Sequence, residues 1–130
     1  MIEAYFILYV EDQIRSTEFY EAALGVKATL QVPGITEFEL TKSTILAVMP
    51  ESGIKNLLGD ALPDPAQARG VPRAEVYLMV DDPAACHERA INAGAVELRP
   101  LARTDWSHDV AYSLDPDSHV LAFARIAKDE

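Results

Sequence analysis

The chain has 130 residues and a formal net charge of −10, because 21 Asp and Glu residues stand against 11 Lys and Arg. This negative charge opposes binding to phosphate backbones and anionic lipid, so we expect neither a nucleic acid nor a membrane as partner. A hydrophobic fraction of 49% rules out general disorder and fits one compact domain. With a single cysteine, short apolar runs and no basic N-terminal signal region, we expect a cytoplasmic protein.

The first half of the chain has the pattern of a strand, a helix and three further strands. Residues 4–10 form a β-branched and aromatic run that predicts a buried strand. Asp12 can cap a helix predicted over residues 13–24, and Gly25 stands where a left-handed C-terminal stop is expected. Three extended segments then follow, over residues 27–32, 36–40 and 44–49.

The same order recurs about 70 residues later. Residues 74–80 predict a second buried strand, Asp82 can cap the next helix, Pro83 suits its first position, and Gly94 closes it. Further strands are predicted over residues 96–101, 109–114 and 119–126, with the last turn at Asp115-Pro116-Asp117.

A repeat of this length predicts an α+β fold of two tandem βαβββ modules that form a cupped mixed sheet around a cavity. We place module one at about residues 2–50 and module two at about residues 74–127. The connector between them, residues 50–73, holds four prolines and three glycines. Such a segment cannot form a long helix.

Short motifs carry the repeat in a fixed order. They are Tyr9-Val10-Glu11-Asp12 before Phe19-Tyr20 and Leu24-Gly25, Val80-Asp81-Asp82 before Ala93-Gly94-Ala95, and Asp115-Pro116-Asp117 before the final strand. In this arrangement the chain resembles the vicinal oxygen chelate superfamily, which contains glyoxalase I, extradiol dioxygenases, fosfomycin-inactivating enzymes and bleomycin-resistance proteins. Ser118 and His119 stand where that family more often has Gly-Asn.

The resemblance implies a divalent metal held at four strand positions that face the cavity. Aligned on the family pattern, these positions are Tyr5, Ala47, Glu75 and Ala122. Enzymatic members would show His or Glu at most of them, and alanine supplies no donor atom. We therefore expect no metal and no cofactor, and the resemblance is nearest to the family's non-metal drug-binding resistance proteins.

Strand alternation predicts which other side chains share the face of these four positions. That face is rich in tyrosine, methionine and alanine, which suits a bulky, partly aromatic ligand, although the same residues can also fill a closed core. The candidate ligand-binding residues are Tyr5, Ile7, Tyr9, Phe38, Ala47, Met49, Glu75, Tyr77, Met79, Trp106, His108 and Ala122.

Trp106, the only tryptophan, lies in a polar loop before the seventh predicted strand. It can stack on a ligand, as an aromatic in this segment of related resistance proteins does, or cover core residues. Asp105, Asp109 and Glu75 can give the mouth of the pocket a negative charge that favours a cationic ligand, or can simply be solvated.

His108 lies near Trp106 in sequence and can donate a hydrogen bond to a ligand or act as a weak base, whereas His87 is predicted on the surface of the second helix. Three functions stay open. The first is a non-catalytic protein of the bleomycin-resistance type that sequesters an antibiotic or similar natural product, with a ligand groove at a homodimer interface by resemblance. The second is a glyoxalase-like lyase or dioxygenase-fold enzyme with Glu75 or His108 as base. The third is a small structural or regulatory module.

Overall fold

The computed structural model of the protein describes residues 1–128, which contain two four-stranded sheets, three α-helices and two 3₁₀ helices. The first module comprises β1 (Ala4–Val10), α1 (Gln13–Leu24), β2 (Leu30–Val32), β3 (Ile35–Thr41) and β4 (Thr44–Pro50). The connector holds α2 (Glu51–Leu58) and the 3₁₀ helices Gly59–Ala61 and Pro65–Ala68. The second module comprises β5 (Glu75–Met79), α3 (Pro83–Asn92), β6 (Val96–Arg103), β7 (His108–Leu114) and β8 (Val120–Ile126). The predicted α+β class with two tandem βαβββ modules is confirmed.

Both sheets have the same topology. Their strand orders are β1-β4-β3-β2 and β5-β8-β7-β6, with the first pair parallel in each sheet and the other pairs antiparallel. The repeat extends to the strand register. Ile7 pairs with Ala47 in the first sheet, and at the equivalent place in the second sheet Tyr77 pairs with Ala122. Within residues 1–128 no strand of one sheet pairs with a strand of the other, so each sheet presents its own face.

The predicted helix signals act as expected. The Asp12 carboxylate accepts a hydrogen bond from the Arg15 N–H at 3.1 Å, and Asp82 accepts one from the Ala85 N–H at 3.2 Å. Gly25 ends α1 with φ of 69°, a left-handed conformation that glycine adopts without steric cost. These residues fix where the helix follows the strand in each module.

One hydrophobic core joins the modules. It lies between the two helices α1 and α3 and one face of each sheet, and it contains Leu8, Val10 and Val48 from the first sheet and Leu121 and Phe123 from the second. Burial of this apolar surface is the main favourable term for the fold. The opposite faces of both sheets therefore point away from the core.

Phe38 belongs to this core and not to the ligand face. It is fully buried, it pairs with the core residue Leu46, and its ring centroid lies 6.2 Å from that of Tyr20. Because side chains alternate along a strand, Phe38 points away from the face that carries Ala47. The prediction that Phe38 lines the ligand site is wrong.

The modules are also joined by polar contacts from the β7–β8 turn to the first module. The Tyr20 hydroxyl donates to the Asp115 carboxylate at 2.5 Å, and the Ser16 hydroxyl and the Glu11 N–H each donate to Asp117 at 2.8 Å. Burial raises the pKa of Tyr20 well above its ordinary value, and the negative charge of Asp115 raises it further. The turn thus fixes the relative position of the two modules.

Ser118 in this turn has φ of 67°, in the left-handed region that favours glycine. This explains why the related family more often has glycine at this position. The chain keeps the turn with a serine, at the steric cost of a side chain in that conformation.

No helix within residues 1–128 is long and apolar enough to cross a membrane.

Candidate functional site

The outward face of each sheet carries two of the four positions at which the family would hold a metal. Tyr5 and Ala47 lie on the first sheet, where Tyr5 pairs with Ile45, two residues before Ala47. Glu75 and Ala122 lie on the second sheet in the same diagonal relation. The duplicated register therefore places the four positions equivalently in the two modules.

The side chains at these positions do not fit a divalent metal. Ala47 and Ala122 are fully buried and offer no donor atom. The negative charges of Glu3 and Glu37 raise the pKa of Tyr5, which opposes formation of a phenolate ligand. Glu75 is then the only carboxylate of the set. In the described part of the chain, no three His, Cys, Asp or Glu side chains come together as a metal site.

Exposed apolar and aromatic side chains cover much of the two faces. The exposed fractions are 46% for Tyr5, 40% for Ile7, 50% for Met79 and 55% for Trp106. Tyr5 and Ile7 lie on the first sheet, and Met79 and Trp106 lie on the second face. Exposed large side chains on a sheet face are typical of a ligand or protein contact.

The alanines of the second sheet do not form an open floor. Tyr77 and Tyr112 pack over Val110, Ala122 and Ala124, all three of which are fully buried. The small side chains of β8 leave room for the tyrosine rings to lie across the strand. The surface available to a ligand here is therefore made of the tyrosines and their neighbours.

Tyr77, Trp106 and His108 form one hydrogen-bonded cluster on this second face. The Trp106 indole N–H donates to the Tyr77 hydroxyl oxygen at 3.0 Å, and the same oxygen lies 2.7 Å from Nδ1 of His108. The rings of Tyr77 and His108 are tilted by 37°, with centroids 5.9 Å apart. We refer to these three residues as the Trp-Tyr-His cluster.

The loop between β6 and β7 positions two members of the cluster. The Thr104 N–H and its hydroxyl both donate to the His108 carbonyl oxygen, at 2.8 and 2.9 Å. Ser107 has φ of 65°, and its carbonyl accepts a hydrogen bond from the Ala127 N–H at 2.8 Å. Trp106 thus lies in a tight turn that is hydrogen-bonded to the residue directly after β8.

Asp109 neither contributes charge to this face nor is solvated, so neither of the two expectations for it holds. Its carboxylate pairs with Arg103 at 2.8 Å and with Arg125 at 3.2 Å, and it is buried. Hydrogen bonds from Arg103 and then Arg125 hold the pKa of Asp109 below its usual value. Asp109 follows His108 directly in β7, so the two side chains point to opposite faces. Asp105 and Glu75 remain exposed.

His87 is buried, not on the surface as predicted. Its Nε2 lies 2.9 Å from the Glu97 carboxylate, since α3 packs against β6. The residue lies on the core side of the sheet, away from the Trp-Tyr-His cluster.

A small polar cavity of about 160 Å³ lies at the junction of the two modules and the connector. Several charges around it are already paired, because Arg69 binds Glu51 at 2.7 Å and Asp117 accepts a bond from Ser16 at 2.8 Å. Nδ1 of His119 is buried there without a hydrogen-bond partner within residues 1–128. We interpret this region as part of the joint between the modules.

Comparisons with known proteins agree with the fold. The model of the Glyoxalase/Bleomycin resistance protein/Dioxygenase superfamily matches residues 4–123. A glyoxalase-related enzyme from Fulvimarina pelagi is 24% identical, with a TM-score of 0.79 over 94% of this chain and 86% of that one. A glyoxalase/bleomycin resistance protein/dioxygenase family enzyme from Burkholderia phytofirmans PsJN is 17% identical, with a TM-score of 0.79 over 94% and 96% of the two chains. At these identities the likeness concerns the fold. A search of curated proteins found no match.

Proposed function

Since the chain belongs to the glyoxalase/bleomycin resistance protein/dioxygenase superfamily, we propose that it is a non-catalytic protein that binds and sequesters a small molecule without a metal. One observation carries this proposal. Ala47 and Ala122 stand where the family would place metal ligands, while aromatic side chains remain exposed on the same faces. A surface that lacks metal donors and has an open aromatic lining is suited to binding.

The ligand that this lining suits is bulky and partly aromatic, such as an antibiotic or a similar natural product. Trp106 offers an exposed indole plane, and Tyr5 and Met79 offer further apolar area that can adapt to an irregular shape. Tyrosine and tryptophan are the residues that contribute most often to binding energy at recognition surfaces.

The binding unit that we propose is a homodimer. Both faces carry exposed apolar side chains in one chain. The modules contact each other through α1 and α3 and through the β7–β8 turn, and within residues 1–128 there is no extensive packing between strands of different sheets. Phe6, on the edge strand β1, is 62% exposed, and an exposed apolar edge strand offers a surface for pairing with another chain. A face of a second copy would close over the ligand and cover these edges.

A positively charged group on the ligand would match the charge of this surface. Glu37 and Glu39 lie on the same side of the first sheet as Ala47, and Glu75 and Asp105 are exposed in the second module. With a net charge of −10, the protein attracts a cation at long range, and salt should weaken that attraction.

An enzyme with Glu75 or His108 as general base is the alternative. A general base is usually oriented by a third group and lies within hydrogen-bond reach of the proton that it removes. Glu75 is exposed and has no hydrogen-bond partner within the described residues. This favours the binding function over an enzyme that uses Glu75.

A thermal-shift screen of planar natural products, with and without EDTA, tests the binding function. We expect a ligand that raises Tm equally in both conditions and loses affinity in Trp106→Ala. The matched control is Leu57→Ala, which removes a 74% exposed apolar side chain from α2 in the connector. A ligand that requires added metal, or that binds both variants equally, would argue against the proposal.

Sedimentation equilibrium tests the dimer. We expect a mass near twice 14.3 kDa at micromolar concentration. Phe6→Glu should shift the mass toward the monomer, whereas Leu57→Glu, a matched charge on an exposed helix, should not. A wild-type mass near 14.3 kDa would contradict the dimer and the shared groove.

A further inference from the structure

We propose that the Trp-Tyr-His cluster holds His108 as a hydrogen-bond donor to the ligand, and that the ligand is therefore a planar molecule with a hydrogen-bond acceptor, such as an aromatic carbonyl. This inference rests on the proposed binding function. It adds the chemical group of the ligand that the second face recognises, and it adds the tautomer of His108 that recognises this group.

The direction of the hydrogen bonds follows from the chemistry of the three groups. An indole N–H only donates, so the Tyr77 oxygen is the acceptor of the 3.0 Å bond from Trp106. The hydroxyl has one proton, and its other close partner is Nδ1 of His108 at 2.7 Å. Because the oxygen already accepts a bond from Trp106, the Tyr77 hydroxyl is best placed to donate its own proton to Nδ1 of His108. Hydrogen bonds linked in a chain in this way strengthen one another.

This arrangement selects one tautomer of the neutral imidazole. If Nδ1 accepts the Tyr77 proton, the ring proton is on Nε2. Nδ1 is then engaged and Nε2 carries a hydrogen, so neither nitrogen has a lone pair free to take a proton from a substrate. His108 in this state is a donor and not a base.

Nε2 of His108 is available to a ligand. Among the described residues it has no hydrogen-bond partner, and it is not among the buried unpaired polar atoms. His108 lies on the same side of β7 as Val110, which belongs to the outward face of the second sheet. The indole of Trp106, joined to the same tyrosine, is 55% exposed.

Together these features define a ligand class. The exposed indole offers a plane for stacking, and the neighbouring imidazole offers a fixed N–H. A planar ring system with a carbonyl or other acceptor satisfies both, whereas a purely hydrocarbon ring leaves the donor unpaired. Leaving a buried donor without a partner is costly, so the site should discriminate between the two.

The tautomer can be measured without a ligand, from the ring ¹⁵N signals of histidine-labelled protein at neutral pH. We expect His108 to show an unprotonated Nδ1 and a protonated Nε2, with its signals assigned by their loss in His108→Asn. Tyr77→Phe should remove this preference. Tyr112→Phe is the matched control, because that ring packs with Tyr77 over the same buried residues of β7 and β8, but its hydroxyl has no hydrogen-bond partner within residues 1–128. A proton on Nδ1, or no change in Tyr77→Phe, would overturn the proposal.

Recognition of the acceptor can be measured with coumarin, a planar bicyclic carbonyl compound, and with naphthalene as its carbonyl-free counterpart. The single indole N–H signal of Trp106 reports binding of both. His108→Asn keeps an acceptor for Tyr77 but removes the Nε2 donor, and should weaken coumarin binding about three- to tenfold, the effect of one hydrogen bond. His108→Gln keeps an N–H near the position of Nε2 and should retain most of the affinity. Naphthalene, which makes no hydrogen bond to the donor, should lose no affinity in His108→Asn.

The outcomes separate this inference from the proposed function. If coumarin shifts the Trp106 signal equally in wild type and His108→Asn, the surface binds ligands but His108 is not the donor, and the inference is wrong. If neither probe shifts that signal in wild type, the second face is not a binding surface and the proposed function fails with it.

Discussion

The hydroxyl of Tyr20 and the carboxylate of Asp115 are joined by a 2.5 Å hydrogen bond, although 95 residues separate them in the chain. Tyr20 lies on α1 of the first module and Asp115 follows β7 of the second, so this bond crosses the module interface. Both residues are buried. Each group would be costly to bury without the other, which ties the packing of the modules to this pair.

We therefore expect Tyr20→Phe to lower the free energy of unfolding by about 1–3 kcal/mol, because it leaves a buried carboxylate oxygen without its donor. Urea denaturation measures the change. Tyr112→Phe is the control and should alter stability by less than about 0.5 kcal/mol, since its hydroxyl has no hydrogen-bond partner in the described part of the chain. Equal effects of the two substitutions would show that the bond contributes nothing specific.

The pH dependence of stability should report Asp115. Burial raises the pKa of Asp115 above its ordinary value of 3.8, although the hydrogen bond from Tyr20 lowers it in part. The folded state therefore favours the protonated acid, and this contribution to stability is complete below pH 3.8 and is lost as the pH rises through the raised pKa.

The comparison variant is Asp115→Asn, which keeps the shape but cannot ionise. The free energy of unfolding of wild type, relative to this variant, should fall as the pH rises above 3.8. Urea titrations at several pH values measure the difference. A relative stability that rises over this range would mean that the pKa of Asp115 is lowered in the folded protein.

Much of the fold follows from local sequence signals. Asp12, Gly25, Asp82 and Pro83 mark helix boundaries by short-range hydrogen bonds and backbone geometry, so their roles can be predicted from neighbouring residues alone. The start of β2 is not predicted correctly: the strand begins at Leu30, whereas the sequence predicts residue 27. The Ala28 N–H donates instead to the Glu21 side chain at 3.0 Å, a contact from the preceding helix.

The candidate site is harder to predict from sequence than the fold, because it depends on contacts between residues of different strands. The ion pair of Asp109 with Arg125 cannot be predicted from neighbouring residues, because Arg125 lies 16 residues away on β8 and only the strand register brings the two together. The burial of Phe38 cannot be read from β3 alone, because the side of this strand that faces the core is set by its pairing with β4. The Tyr77–His108 bond joins residues that are 31 positions apart, on β5 and at the start of β7, with β8 between these strands. The only sign of this contact in the sequence is the small side chains of β8.

Ser118→Gly should stabilise the protein by about 0.5–1 kcal/mol. The gain comes from removing a side chain from a left-handed backbone conformation, and it is reduced by the greater freedom of glycine in the unfolded chain. Thermal and urea unfolding measure the change. Ser118→Ala keeps the Cβ atom and should not stabilise; if alanine stabilises as much as glycine, backbone strain is not the cause.

Trp106→Ala should affect binding more than folding. With 55% of the residue exposed, its loss should cost about 1 kcal/mol or less of folding free energy, but about 1–3 kcal/mol of binding free energy for a stacked ligand. Trp106→Phe keeps a ring and should retain part of the affinity. A folding loss of about 3–5 kcal/mol, typical of a buried aromatic, would instead show that the indole serves the core.

Elemental analysis of the purified protein, after incubation with zinc, nickel, manganese or iron and removal of free ions, tests the metal-free site most directly. We expect far less than one equivalent of any metal, because Ala47 and Ala122 supply no donor and the charges of Glu3 and Glu37 oppose ionisation of Tyr5. One tightly held equivalent that disappears in Glu75→Ala would contradict this account and restore the metal-dependent chemistry of the family.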